Sequence, residues 1–142
     1  MSIVLDASIA AKWIFLEEDS DKAELLLKDH SSFLVPDLFY LEMDSIIGKK
    51  VRRRELEASD AHRKRTQVQR IAADVIYHQT LAKLAFDISI SLPVTMYDAL
   101  YLALAMDNQT IMWTADDRLV RGLSNTILSE HVENPLKRDK YS

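Results

Sequence analysis

Cysteine is absent from this chain of 142 residues, glycine occurs twice and proline three times. Without cysteine there is no disulfide and no thiolate metal site, a composition compatible with a reducing compartment. Two separate glycines cannot build a phosphate-cradling loop, and no G-x-S-x-G elbow is present. The four histidines (His30, His62, His78 and His131) are scattered, and no two stand at the i, i+4 spacing of a helical zinc pair. Hydrophobic runs are short, and none approaches the ~20 residues that span a bilayer. Met1 to Leu5 lacks the basic and long apolar regions of a secretory leader. These absences point to the cytoplasm and away from a membrane.

What is present suits a globular protein. Hydrophobic residues make up 48% and charged residues 28%, and the length fits one domain over residues 1–142. Ile3–Leu5 is a compact apolar run that predicts a buried strand. Helical composition follows from Ala7 to Leu16 and from Asp21 to Asp29. Phe33–Val35, before Pro36, reads as a second strand, and Asp37–Val51 as a long helix. The next helix, capped by Ser59 or Asp60, is expected to run to about Ile76. Further helices are expected over Thr80–Leu92, stopped by Pro93, and over Met96–Met106. Thr110–Thr114 reads as a strand, Asp117–Leu123 as a short helix ended near Gly122, and Thr126–Leu128 as a last strand. From Glu133 the chain is polar and is expected to fray. Strands alternating with helices predict an α/β fold in which helices cover both faces of a parallel sheet. Ligands of such sheets bind beyond the carboxyl ends of the strands. Asp6 and Asp116 each follow a predicted strand, so they meet at one edge if those strands are neighbours.

Four acids stand where surface acids usually do not. Asp6, between strand and helix, suits a helix N-cap. Glu42 shares a helical face with Leu38 and Ile46, where a carboxylate must be paired, protonated or metal-bound. Asp98 follows Thr95 by three residues, a capping-box spacing, and opens a stretch that is apolar on nearly every face. Asp116 and Asp117 follow a strand, and one cap explains only one of them. Carboxylates gathered without cysteine or paired histidine are hard ligands suited to Mg²⁺ or Mn²⁺. Like charges tolerate one another only with a cation or a shared proton.

The motifs IVLDAS with KW, VPDLFYLE, TMYDALYLALA and TADDRL, in this order and at this spacing, resemble the PIN-domain family. The likeness is to VapC-type toxins of toxin–antitoxin pairs, and it runs from Ile3 to about Leu128. It implies a three-layer α/β/α fold around a parallel sheet, and a Mg²⁺- or Mn²⁺-dependent endoribonuclease acting through Asp6, Glu42, Asp98 and Asp116. Asp117 is a further possible ligand. Ser8 matches the family's small hydroxyl residue in the pocket, with Thr114 in a like role. Family members commonly carry asparagine three residues after the helix glutamate, and Ser45 stands there. The resemblance also implies cleavage to a 5′-phosphate and a 3′-hydroxyl, an antitoxin partner, and a homodimer.

From Lys49 to Arg70 nine Lys/Arg face three Asp/Glu, a balance of +6 in a chain of net charge −4. Lys49, Lys50, Arg52, Arg53, Arg54, Arg63, Lys64 and Arg65, followed by Arg70, are therefore candidate RNA phosphate contacts. A solvated face with local ion pairs is the plainer explanation. No aromatic residue lies in the segment, so base stacking must come from elsewhere. Trp13, Ile14, Phe15 and Leu16 read as core, or, by the resemblance, as a groove for the antitoxin. Tyr97, Leu100, Tyr101 and Leu104 read as core, or as a dimer contact. Two other readings compete with the nuclease: a PIN-fold protein-binding module without catalysis, and a phosphoacceptor domain of the receiver type. The latter wants a lysine after a late strand, which the chain lacks.

Overall fold

A computed structural model describes residues 2–30 and 32–138. Within them five parallel strands form one sheet: β1 (Ile3–Leu5), β2 (Phe33–Pro36), β3 (Ala73–Ile76), β4 (Met112–Trp113) and β5 (Val132–Glu133). Their spatial order is β3-β2-β1-β4-β5. Every residue of β1 and β2 is buried. Successive strand side chains point to opposite faces, so unbroken burial means that both faces are covered. The expected α/β architecture with helices over a parallel sheet is therefore what is found.

Among the described residues seven α-helices flank the sheet: α1 (Ala7–Ile14), α2 (Ser20–Asp29), α3 (Leu38–Arg52), α4 (Ala58–Gln69), α5 (His78–Ser91), α6 (Met96–Asp107) and α7 (Asp117–Gly122). Helices α1 to α4 pack among themselves, and α5 packs on α6, which lies on β1, β2 and β4. Ala99 to Ala105 of α6 are all buried. A helix apolar on all sides has its most stable place in the core, where each buried leucine contributes roughly 1.5–3 kcal/mol. Thr95 caps it by accepting a 3.1 Å hydrogen bond from the Asp98 amide. Among the described residues no single helix is long and apolar enough to cross a membrane.

Three expectations are corrected. The helix thought to reach Ile76 ends at Gln69, and Ala73–Ile76 is edge strand β3. Strand β3 pairs only with β2 and exposes Asp74 and Val75, so it lacks the apolar run of a central strand. The last strand is not Thr126–Leu128 but β5, which pairs with β4 through Met112↔Val132 and Trp113↔Glu133. Finally, residues 133–138 do not fray. Leu136 is buried in a 3₁₀ turn, Pro135–Lys137, which Asn134 caps. The polar composition of this segment hides that Asn134, Pro135 and Leu136 are buried.

Candidate active site

The chain runs from β1 outward to β2 and β3, then returns to the other side of β1 with β4. The order therefore reverses between β1 and β4, which opens a crevice at their carboxyl ends. Val4↔Met112 and Leu5↔Trp113 are paired, and the Asp6 amide donates to the Trp113 carbonyl at 3.1 Å. Asp6 and the Thr114–Asp116 turn thus leave the sheet side by side.

Asp6 sits at the N-cap position of α1, but its carboxylate caps nothing there. Instead the Ser8 hydroxyl donates to Asp6 Oδ2 at 2.6 Å and the Thr114 hydroxyl at 2.9 Å. The Ala115 amide donates to Ser8 Oγ, and the Asp116 amide to Thr114 Oγ1. Both hydroxyls are thereby oriented by backbone amides of the facing loop. Burial pushes Asp6 above the usual carboxylate range, with the hydroxyls of Ser8 and Thr114 opposing.

Glu42, on α3, accepts a 2.6 Å hydrogen bond at Oε1 from the hydroxyl of Tyr101 on α6. Burial, followed by the charges of Asp6 and Asp98, lifts Glu42 to about 7 against the pull of that bond. Asp98, in the first turn of α6, is raised by burial and then by the charges of Asp6 and Asp116, with Thr95 opposing. Asp116 caps α7, its Oδ1 accepting from the amides of Arg118 and Leu119 at 3.0 and 3.3 Å. The four acids come from four separate elements, and their charges act on one another across the crevice.

Asp117 is placed differently. Its carboxylate accepts from Asn134 Nδ2 at 2.9 Å and pairs with Lys137 at 3.5 Å. Asn134 first, then Lys137, holds it below the usual carboxylate range. It fastens the C-terminal segment to α7. Tyr101 is the residue that sequence reasoning missed as part of the site. It reads as core, and it is buried. Only its i+3 step from Asp98 on an otherwise apolar helix hints that its hydroxyl faces the acids.

The donor set suits a hard divalent cation. One oxygen each of Asp6, Glu42 and Asp116 is held by protein donors, and among the described residues no hydrogen bond reaches Glu42 Oε2 or Asp116 Oδ2. Among the described residues no three acidic or histidine side chains close into a ready-made metal cage. Mg²⁺ usually keeps several waters and takes one or two carboxylates directly, and further acids then act on it through those waters.

The basic segment divides in the structure. Lys50 is 3.8 Å from Glu17 and lies over the Phe15 ring, and Lys64 donates to the Ile14 carbonyl at 2.9 Å. Arg65 pairs with Asp44 at 2.8 Å, and Arg63 with Asp60. Lys49, Arg52, Arg53 and Arg54 form no ion pair among the described residues. Of the Trp13–Leu16 cluster, Ile14 is core, while Leu16 is 98% exposed. These four residues line a cleft of about 300 Å³ with Lys12, Ser20, Glu24 and Leu27.

The family model for the PIN domain matches residues 3–122. Solved structures of similar fold include VapC20 of Mycobacterium tuberculosis, a sarcin–ricin-loop-cleaving toxin, at 14% identity and a TM-score of 0.66, covering 81% of this chain and 90% of that one. PAE2754 of Pyrobaculum aerophilum is similar at 17% identity and 0.70, covering 93% and 83%. A toxin–antitoxin complex of Klebsiella pneumoniae is similar at 14% identity and 0.66, covering 95% and 98%. No curated protein sequence matches the chain. At such identities the solved structures speak for the fold alone.

Proposed function

Because the chain belongs to the PIN domain family, we propose that it is a Mg²⁺- or Mn²⁺-dependent endoribonuclease, the toxin of a VapBC-type pair. The observation that carries the reading is the convergence of Asp6, Glu42, Asp98 and Asp116, from four separate elements, at the carboxyl edge of β1 and β4, where burial first and their neighbouring charges second disfavour ionisation. Such convergence costs stability and is relieved by a divalent cation. The toxins among the similar structures support the partner class.

Asp6, Asp98 and Asp116 would hold the ion, with Glu42 beside them. A bound divalent ion supplies charge neutralisation at the scissile phosphate and a more acidic water. The chain's own groups do the rest. Ser8 and Thr114 fix the Asp6 carboxylate through Oδ2 at the end of β1. The Asp116 carboxylate is held likewise by the first turn of α7. Glu42, raised to about 7 by burial and the neighbouring charges, would be the group that accepts a proton from the attacking water. Unpaired Lys49, Arg52, Arg53 and Arg54 would contact phosphates away from the reacting centre. The cleft at Trp13–Leu16 is the surface we assign to the antitoxin.

The test is cleavage of mixed cellular RNA with end mapping, with and without Mg²⁺. Wild type should cut only with metal and leave 5′-phosphates. Asp6→Asn should stay folded and lose at least about a hundredfold in rate. Metal-independent cutting, or full activity of Asp6→Asn, overturns the nuclease reading and leaves a protein-binding module.

A further inference from the structure

The carboxyl edge of the sheet carries a second built feature, two strands away from Asp6. Val4 lies level with Leu34, and Leu34 with Asp74. Extended by two residues, this register brings Asp6 level with Pro36, itself paired with Ile76, about 10 Å across for two strand spacings. Immediately beyond stand Asp37, after β2, and Tyr77 and His78, after β3.

These residues are locked together. The Asp37 amide donates to the Ile76 carbonyl at 3.1 Å, which ties the two strand ends. Asp37 Oδ1 accepts from the His78 amide at 3.1 Å, and His78 Nδ1 lies 3.1 and 3.2 Å from the two carboxylate oxygens. That contact selects the tautomer with the proton on Nδ1 and leaves Nε2 without a partner among the described residues. Tyr77 meets the His78 ring edge to face at 4.8 Å between centroids. Tyr77 is 54% exposed, and its hydroxyl has no partner among the described residues. Packing leaves Tyr77 about half exposed, beside a histidine ring that Asp37 holds in place.

We propose that Tyr77 and His78 form a base-binding subsite for single-stranded RNA, next to the cleavage site on the same edge. The proposal rests on the nuclease reading. The phenol face stacks on an unpaired base, and His78 Nε2 hydrogen-bonds to that base or its ribose. Stacking contributes affinity to a single strand, whose bases are free to splay, and little to a duplex. The feature also supplies what the basic segment lacks, since no aromatic residue lies between Lys49 and Arg70. One strand would then run from the acids across β2 to β3.

The test uses the full chain carrying Asp6→Asn, with Mg²⁺ and short fluorescein-labelled single-stranded RNAs, one homopolymer for each base. Adding Tyr77→Ala should weaken binding of the preferred RNA about tenfold, while Tyr77→Phe keeps it within about twofold. His78→Ala should narrow the preference among the four bases. In the wild-type background Tyr77→Ala should raise KM more than it lowers kcat and shift the mapped cut sites. Unchanged affinity and cut sites in Tyr77→Ala, with wild type still cleaving, overturn the subsite alone. Equal weakening by Tyr77→Phe and Tyr77→Ala, or an effect confined to protein partners, also overturns it. If Asp6→Asn binds no RNA and wild type cuts none, the nuclease reading falls and the subsite with it.

Discussion

Tyr101 donates to Glu42 Oε1, and this one bond opposes the burial and the neighbouring charges that raise Glu42. A hydrogen bond to a charged group contributes roughly 1.5–3 kcal/mol, and one pKa unit corresponds to about 1.4 kcal/mol. Tyr101→Phe should therefore move Glu42 upward from about 7 by on the order of one unit. The acidic limb of the pH–rate profile should shift to higher pH by the same amount. Cleavage should fall at pH 7 and recover in more alkaline buffer. A profile identical to wild type would show that Glu42 does not titrate in the rate-determining complex. The same environment puts charge where folding disfavours it. A neutral asparagine at Asp6 should therefore raise the melting temperature of the metal-free protein while activity is lost.

Element β5 and the turn after it carry more of the fold than their two and three residues suggest. Strand β5 covers the outer edge of β4, and the Thr114 amide donates to the Glu133 carbonyl at 3.0 Å. Thr114 in turn holds Asp6. Arg138 makes a two-pronged contact with Glu133 and lies 5.7 Å from the Trp113 ring. The C-terminal segment thus braces the loop that carries Thr114 and Asp116. Leu136 is 4% exposed, and truncating a buried leucine costs roughly 2–5 kcal/mol. Leu136→Ala should lose stability in that range in urea unfolding. A change within error would mean that the segment is detached in solution.

Across the whole molecule the acids link stability to pH and to metal. Asp6, Glu42 and Asp98 all bind protons more tightly folded than unfolded. Between the ordinary carboxylate range and about 7 the folded chain therefore carries more protons, and stability falls as pH rises. Asp117 has the opposite sign, but its contribution is lost only in more acid solution. Metal-free protein in a chelator should thus melt at a higher temperature near pH 5.5 than near pH 8. Adding Mg²⁺ should raise the melting temperature more at pH 8 than at pH 5.5, by roughly 2.7 kcal/mol of stability at a hundredfold excess over Kd. A melting temperature indifferent to Mg²⁺ at pH 8 would argue against a shared cation.

Much of this was legible in the residue order, and the reason is local. Ile3–Leu5, Phe33–Val35 and Ala99–Ala105 are apolar enough to declare themselves as buried strands and a buried helix. Asp6, Glu42, Asp98 and Asp116 stood out because each interrupts or adjoins such a run. Tertiary structure alone decided the rest, because those features depend on partners distant in the chain. Strand β3 exists through its pairing with β2, and β5 through its pairing with β4. Asp116 caps α7, whereas Asp117 is drawn to the C-terminal segment because Asn134 and Lys137 reach it. Tyr101 joins the site only because α3 brings Glu42 to its hydroxyl. Hydrophobic pattern fixes which residues are buried, but the direction in which a buried polar atom finds its partner is a property of the assembled fold.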